Sequence, residues 1–449
     1  MSDYLVTDTE LTSIADAIRT KGGTSASLTF PSAFVSAINN IPTGDPAAEA
    51  YKALALNDCS MSYSNYFLRI NNTTSDTAYL SGQDVYFPAS FFSGISRATM
   101  GQFAGRKFVS GSTYTFPNCS YISAYAFMDD PMTQAGGLAG FTLDFPSCLT
   151  VSTMAFYGCK ASSVYLPLTS IMSGSAFCSC GVLRTISMPI VSAIRQSTFY
   201  RCYELSIASA SLASAIETDA FYYCSSLATI SFPSCKNVGQ SAFAGCSRLL
   251  SVEMPACTIL AAYAFNGCYS LSYASFAELT TINASAFAYC SALTSISLPS
   301  LISVNSPPFT GCSNLQSIYL SALSSLSVSL FGNLSNLVTI SVPNLQYISA
   351  YMGFGSCINL STISFPKLTT LSGNYVFSKC YNLLSIYLMA STMCELRQAA
   401  TNIFPSTPIM GYTASTGGVY GSIYVPSSLY SQYIVATNWV SISSRFVSI

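Results

Sequence analysis

The chain has 449 residues, of which 50% are hydrophobic and only 8% are charged, and its formal net charge is −1. This apolar content predicts a large folded core and argues against disorder. The net charge argues against a protein that binds nucleic acid or anionic membranes, because both need clustered Lys and Arg. The sequence contains no histidine, so Ser–His and Cys–His catalysis are excluded. No apolar run approaches the roughly 18 residues of a transmembrane helix, and we expect no membrane insertion.

Residues 1–44 predict a small helical segment that anchors the chain to another protein. "TDTELTSIADAIRT", residues 7–20, has helical periodicity, and its Thr7 and Glu10 are spaced as a capping box. A second short helix is predicted from Pro31. So small a pair of helices cannot hold a core alone, so we expect it to dock on a partner or on its own copy. The predicted anchoring residues are Leu11, Ile14, Ile18, Phe34 and Ile38.

The wording of this segment, "LTSIADAIRTKGGTSASLTFPSAFVSAI" at residues 11–38, is similar to an amino-terminal segment of tail and other virion-associated proteins of phages and prophages of Firmicutes. The resemblance implies contact with other virion proteins through residues 1–44. The amino end carries acids where a signal peptide carries bases, and it lacks an apolar region. We therefore expect folding in a bacterial cytoplasm. Residues 45–78 are predicted as a linker and an amino-terminal cap.

A Phe-x-x-Cys phrase recurs along the middle of the chain. Its phenylalanines are spaced by 22 residues from Phe177 to Phe331, and the pattern extends at spacings of 21 to 23 residues to Phe156, Phe354 and Phe377. A Cys follows three residues after each Phe except Phe331. Looser copies are predicted around Phe127, Phe103 and "VYFP" at residues 85–88, with an inserted loop around "DDPMTQAGG" at residues 129–137.

Each copy also predicts one short strand. In residues 285–312, Leu293, Ile296 and Leu298 follow the pattern Leu-x-x-Ile-x-Leu. The alternation at Ile296, Ser297 and Leu298 is typical of a strand, and Pro299 ends it because proline cannot donate to a ladder. One copy is too short to bury its own strand and Phe. Identical coils must therefore stack, with Phe on Phe and each strand parallel to the next.

The repeated copies resemble those of a known family. "AFAGCSRLLSVEMPACTILAAYAFNGC", residues 242–268, is similar to the BspA-type leucine-rich repeats of bacterial surface proteins. The resemblance implies a leucine-rich-repeat solenoid with a binding role, but no particular ligand. We predict a repeat solenoid of short parallel strands with loop or turn returns, of about 13 coils, over residues 79–395. Residues 396–449, which carry the only Trp, Trp439, resemble the closing segment of such proteins and are predicted as a carboxyl-terminal cap.

Seventeen cysteines invite a disulfide or zinc interpretation, but their spacing favours neither. Ten of them occupy the one repeating slot, and the total is odd. Zinc sites use His partners or Cys-x-x-Cys pairs, whereas the only close pair here is Cys178 and Cys180. We predict buried free thiols that act as small hydrophobes, with no metal and no cofactor. Cysteines of stacked copies would lie within reach of a disulfide bond, so the spacing also allows oxidation of neighbouring thiols to disulfides.

The residues between the inward Leu and Ile positions should form a neutral, hydroxyl-rich strip on the sheet. The hydroxyl groups either only keep the exposed sheet face hydrated or form a ligand-binding surface. The second alternative is favoured by the chemistry of Tyr and Ser, which give contact area and adaptable hydrogen bonds at modest entropic cost. Tyr200, Tyr222 and Tyr223, which lie between the Phe and the Cys of their copies, offer a second candidate surface on another edge of the coils. The sequence does not decide between this edge and the sheet face as the binding surface. The candidate ligand-binding residues are Arg184, Glu253, Tyr273, Tyr319 and Tyr387.

The main functional hypothesis is a non-enzymatic virion structural protein of a phage or prophage, a tail fibre or a receptor-binding or decorating element. It would be assembled in the bacterial cytoplasm and would bind a host surface glycan or protein through the repeats. A homo-oligomer such as a trimer is possible, although no heptad run supports a coiled-coil stalk. The alternative is a BspA-type adhesin on the bacterial cell surface. A glycosidase is disfavoured, because Glu253 and Asp219 lack acidic partners in the repeat.

Overall fold

The computed structural model describes residues 60–62, 67–69, 92–104, 108, 111–129 and 140–449. The five predicted anchoring residues lie outside this part of the chain, as do the "VYFP" copy and most of the predicted insertion. The chain divides into two compact units. Unit 1 contains the described residues up to Val191 together with Thr198–Leu205, and unit 2 contains Ser192–Ser197 and Ser206–Ile449. The domain bounds predicted from the sequence stay predictions.

Within each unit, the coils contribute strands of three to five residues, most of which pair in parallel with the counterpart in the next coil. In unit 1 these strands are β4 (Thr113–Thr115), β6 (Phe141–Asp144), β8 (Ala161–Tyr165) and β10 (Thr185–Ser187). In unit 2 they are β11 (Ile207–Ser209), β13 (Thr229–Ser231), β15 (Ser251–Glu253), β17 (Tyr273–Ser275), β19 (Ser295–Ser297), β21 (Ser317–Tyr319), β23 (Thr339–Ser341), β25 (Thr362–Phe365), β27 (Ser385–Leu388), β29 (Ser422–Val425) and β30 (Phe446–Ser448). The predicted repeat solenoid of short parallel strands is confirmed.

A second, two-residue strand in most coils builds further parallel sheets, one in unit 1 and two in unit 2, which the sequence did not predict. Its members in unit 1 are β3 (Arg97–Ala98), β5 (Tyr121–Ile122), β7 (Thr150–Val151) and β9 (Ile171–Met172). In unit 2 they are β12 (Ala215–Ile216), β14 (Asn237–Val238), β16 (Ile259–Leu260), β18 (Thr281–Ile282), β20 (Ser303–Val304), β22 (Ser325–Leu326), β24 (Tyr347–Ile348), β26 (Thr370–Leu371) and β28 (Glu395–Leu396). A separate antiparallel pair joins β1 (Ser60–Ser62) to β2 (Phe67–Arg69).

The alternation in the sequence explains the burial in the longer strands. In the coil of β19, Leu293, Ile296 and Leu298 are buried, whereas Ser295 and Ser297 are exposed. Successive residues of a strand point to opposite faces, so the aliphatic set packs inside the coil and the serines face out. The strand ends before Pro299, as predicted.

The phenylalanines of the repeated phrase stack on each other in both units. In unit 1 the ring centroids of Phe156 and Phe177 lie 4.5 Å apart with the planes 5° from parallel. In unit 2 the ring of Phe243 lies 5.0 Å from Phe221 and 5.2 Å from Phe265. The predicted looser copy at Phe103 is part of the same arrangement, since its ring stacks on Phe127 at 4.7 Å. These separations match the spacing of neighbouring strands.

The thiol of each coil points at the coil before it. The Cys268 thiol, for example, donates to the carbonyl oxygen of Phe243 at 3.3 Å, and seven other coils repeat this contact at 2.8–3.3 Å. We call these Phe and Cys positions the Phe–Cys column. The described cysteines form no disulfide, and all but the half-buried Cys178 are buried. The prediction of buried free thiols therefore holds for this part of the chain.

The segment predicted as a cap adds β29 and β30 to the sheet, in parallel with β27. It contains two α-helices, α1 (Ala400–Ile403) and α2 (Ser427–Tyr433), and three 3-10 helices, Pro408–Met410, Ala414–Thr416 and Val440–Arg445. Trp439 is buried, and its indole nitrogen donates to the carbonyl oxygen of Cys394 at 2.9 Å. The Tyr433 hydroxyl accepts the backbone N–H of Cys394. These contacts tie the segment to the loop before β28.

Candidate binding surfaces

The outward positions of the longer strands form the surface predicted from the sequence. In unit 2, Glu253, Ser275, Ser297, Tyr319 and Ser341 pair consecutively in register. We call these five residues the sheet strip. Among them only Glu253 is charged, and Tyr319 has 42% of its surface exposed. A parallel register places equivalent residues of neighbouring coils side by side. Each coil therefore contributes one residue to the strip, and these residues together determine its polarity and charge.

Two of the five predicted ligand-binding residues, Glu253 and Tyr319, lie in the sheet strip. Tyr273 is exposed but belongs to the neighbouring slot, since it pairs with Ser251 and not with Glu253. Arg184 belongs to unit 1, where its guanidinium donates to the Glu204 carboxylate at 2.8 Å. This ion pair is exposed, so it contributes little to stability.

Tyr387 follows Ser364 in register and is covered on one side by a residue that the sequence analysis missed. The Tyr424 ring of β29 stacks on it at 4.5 Å, with the planes 11° apart. The two strands pair in parallel and bring Tyr387 and Tyr424 side by side. The result is a half-buried aromatic pair on the outward face of the sheet.

The outward sheet face of unit 1 carries a cavity of about 390 Å³. Its lining includes Thr142 and Asp144 of β6, Tyr165 of β8 and Ser187 of β10. The Thr115 hydroxyl donates to the Asp144 carboxylate at 3.3 Å. None of these residues is among the predicted ligand-binding residues, because the earlier copies of the repeat are less regular.

The second edge is built from turns that require left-handed backbone conformations. In the turn of residues 263–269, Tyr263 has a φ of +60° and Gly267 a φ of +72°. The first lies two residues before the Phe of the repeat, and the second lies one before the Cys. We call the exposed side of this turn, from two residues before the Phe to one residue after the Cys, the turn edge. The position before the Cys is left-handed in every coil from Gly158 to Lys379, at φ between +57° and +78°.

The tyrosines predicted on this edge are there, in contact with near neighbours. The Tyr222 and Tyr223 rings meet edge to face at 4.6 Å, and Tyr223 is 47% exposed. In unit 1 the Arg201 guanidinium lies over the Tyr200 ring at 5.1 Å. Sequence inspection missed Tyr263, Tyr269 and Tyr289, which are all exposed on the same edge. Glycine precedes several of the cysteines, and because glycine adopts a left-handed backbone readily, it could have indicated the left-handed position from the sequence.

Burial makes the thiols of the described cysteines poor nucleophiles. Burial raises the pKa of the Cys312, Cys380 and Cys257 thiols to about 12 and that of Cys235 to about 11. The thiolate is the nucleophile and the metal ligand, so these thiols are inert at neutral pH. In the described residues no group of three or more His, Cys, Asp and Glu could hold a metal ion. None of the helices in this part of the chain is long and apolar enough to cross a membrane.

The model of the BspA type leucine rich repeat region matches six copies in this chain, at residues 149–272 and 258–384. These residues make up more than half of the chain. The chain belongs to the BspA-type leucine-rich-repeat family. The match contains the Phe–Cys column from Phe156 to Cys380, and it therefore rests on the same residues that stack in the core. No curated protein matches this BspA-type chain in sequence.

Several solved structures are similar to the BspA-type chain. A leucine-rich repeat protein from Bacteroides ovatus is 20% identical, with a TM-score of 0.39, over 67% of this chain and 88% of that one. A leucine rich cell surface protein from Faecalibacterium prausnitzii is 20% identical, with a TM-score of 0.37, over 66% and 90% of the two chains. The T. pallidum leucine rich repeat protein is 30% identical, with a TM-score of 0.32, over 34% and 77%.

Proposed function

We propose that this BspA-type protein is a non-enzymatic adhesin whose outward sheet face binds a partner on a cell surface. The sheet strip carries the proposal: Tyr319 is exposed among hydroxyl-bearing neighbours in register, while the aliphatic residues of the same strands are buried. Tyrosine and serine together give rigid contact area and adaptable hydrogen bonds, as in antibody paratopes. The surface is suited to contact rather than to chemistry.

The carboxylates on this surface support a binding role rather than hydrolysis. Glu253 pairs in register with Ser275, and Asp144 accepts a hydrogen bond from Thr115. A glycosidase places two carboxyl groups about 5–10 Å apart across the scissile bond. Neither carboxylate has an acidic neighbour on the adjoining strand.

A location on the bacterial cell surface fits the family better than a location on a virion. The name of the related Faecalibacterium prausnitzii protein calls it a cell surface protein. The virion role depends on residues 1–44, which lie outside the described residues, and it stays a prediction of the sequence. The predicted trimer likewise stays a prediction.

Binding of the fluorescently labelled full-length chain to a panel of bacterial and animal cells, measured by flow cytometry, tests the proposal. We expect Tyr319→Ala and Tyr387→Ala each to weaken binding about tenfold, because aromatic anchors on an outward face dominate such contacts. Tyr347→Ala is the matched control, since Tyr347 is 51% exposed but belongs to the other sheet, on β24. Unchanged binding by both variants would contradict the assignment of the binding site to the outward sheet face.

A further inference from the structure

The turn edge of unit 2 contains a groove of about 450 Å³ that spans three consecutive coils. Its aromatic walls are Tyr222 and Tyr223 of one coil and Tyr263 and Tyr269 of the coil two further on. Tyr223, Tyr263 and Tyr269 are 47%, 44% and 56% exposed. The volume is within the range of small-ligand sites, which are concave and lined by aromatic residues with a few polar groups.

Two successive glycines form the floor of this groove. The residue before the Cys is Tyr223 in the first coil, Gly245 in the second, Gly267 in the third and Tyr289 in the fourth. The Tyr223 ring leans over Gly245, where a Cβ would lie 3.0 Å from the ring. A Cβ at Gly267 would meet no atom closer than 3.8 Å. A side chain would therefore fit at Gly267, and its absence leaves the space free.

The lining points to an uncharged ligand with both hydroxyl groups and apolar faces. None of the residues that line the groove is charged. The carboxamide of Asn266 lies in the lining and makes no hydrogen bond to any described residue. An amide offers two donors and one acceptor, which suits vicinal hydroxyls. The tyrosine rings offer flat apolar faces of the kind on which the C–H face of a hexose stacks.

The spacing of the coils matches a chain of sugars. Neighbouring coils lie 5.0 and 5.2 Å apart at Phe221, Phe243 and Phe265, under the groove. The two aromatic walls are therefore about 10 Å apart, two strand spacings. This is the length of a short oligosaccharide, whose successive residues would meet one coil each.

We infer that this groove binds a neutral oligosaccharide of two to three hexose or N-acetylhexosamine residues. The inference rests on the proposed binding role and adds to it a second surface with a stated ligand class. Tyr223 and Tyr269 stack on the sugar rings, and Asn266 orients the chain through its carboxamide. The glycine pair at Gly245 and Gly267 keeps the floor low enough for the ligand to enter.

The experiment uses the purified full-length chain and calorimetric titration with cellotriose, maltotriose, N,N′,N″-triacetylchitotriose and a sialylated trisaccharide. We expect at least one neutral trisaccharide to bind and the sialylated one to bind more weakly or not at all. Tyr269→Ala should weaken the affinity about tenfold through loss of one stacking face. Tyr319→Ala, on the sheet strip, should leave it unchanged.

A second variant fills the groove without removing a contact. Gly267→Asn should abolish binding, and it should fold because Asn333 adopts the same left-handed conformation at the same position, with a φ of +64°. Gly158→Asn makes the same change in unit 1, at a φ of +68°, and should bind as the unchanged chain does. Circular dichroism melting of each variant checks the fold.

The proposal is overturned if none of the neutral trisaccharides binds, or if Tyr269→Ala and Gly267→Asn bind like the unchanged chain. Loss of trisaccharide binding in Tyr319→Ala alone would move the glycan site to the sheet strip and would also overturn it. Cell binding is measured in parallel. If cells are bound through Tyr319 while no trisaccharide binds, the groove proposal fails and the adhesin proposal stands.

Discussion

The inside and the outside of one turn obey different rules. In residues 263–269, Ala264, Phe265 and Cys268 are fully buried, while Tyr263 and Tyr269 are about half exposed. Each inward side chain packs on its own copy in the next coil, so a change in one coil disturbs its two neighbours. The outward side chains have no such constraint. The Phe–Cys column therefore repeats with little change, and the turn edge varies from Tyr to Gly to Asn.

Raising the pH should damage the Phe–Cys column more than any single substitution. Burial raises the folded-state pKa of two thiols of the column, Cys312 and Cys380, to about 12, from an ordinary value of 9.0. Their stabilising contribution is complete below pH 9 and is lost as the pH rises from 9 toward 12, because the unfolded chain ionises first. Each such thiol costs about 1.4 kcal/mol of unfolding free energy between pH 8 and pH 10.

Urea unfolding at pH 8 and pH 10, with a reductant present, measures this loss. The control chain carries Cys312→Ala and Cys380→Ala, and its loss between the two pH values should be smaller by about 3 kcal/mol. The comparison uses the difference within each chain, so the lower starting stability of the variant does not enter. Equal losses in the two chains would show that the thiols are not responsible.

Phe243→Ala should be the largest single-residue effect on the column that we predict. The ring is fully buried between Phe221 and Phe265, at 5.0 and 5.2 Å from them. Its removal leaves a cavity that both neighbours line, and such substitutions cost about 3–5 kcal/mol. Urea unfolding at pH 7 gives the measurement.

Tyr273→Ala is the matched outward control for Phe243→Ala. Tyr273 is 55% exposed on the outward side of β17, in the same unit, so truncation should change the unfolding free energy by no more than about 0.5 kcal/mol. A loss below about 1 kcal/mol for Phe243→Ala, or a similar loss for both variants, would remove the distinction between the inside and the outside of the coil.

The sequence predicts the inside of this molecule well and the outside poorly, and the cause is physical. Phe265 and Cys268 recur in phase, and a recurring apolar residue has one use in a stack of coils, namely to pack on its own copy. The two-residue strands such as β18 escaped prediction because Thr281–Ile282 is too short to show an alternation. The stacking of Tyr424 on Tyr387 escaped because β29 lies outside the 22-residue period.

The groove at Tyr223 and Tyr269 illustrates the same limit. Its residues come from four different positions of the repeat and from three coils. None of these positions indicates a groove by itself. The repeat period predicts which residues of successive coils are neighbours, but it does not predict the orientation of an exposed aromatic ring. Only the pair Gly245 and Gly267, read against Tyr223 and Tyr289 in the same phase, marked the place.

The smallest predicted effect concerns the backbone of the turn edge itself. Lys379 is exposed, and its φ of +61° is a conformation that costs an L residue with a Cβ about 1–2 kcal/mol. Glycine adopts it freely but loses more entropy on folding. Lys379→Gly should therefore stabilise the chain by about 0.5–1 kcal/mol in urea unfolding. Arg248→Gly removes an equal charge from an exposed position where φ is not positive, so it should give no gain. Equal effects of the two substitutions would mean that the turn edge stores no strain, and the preference for glycine before the Cys would then need another cause.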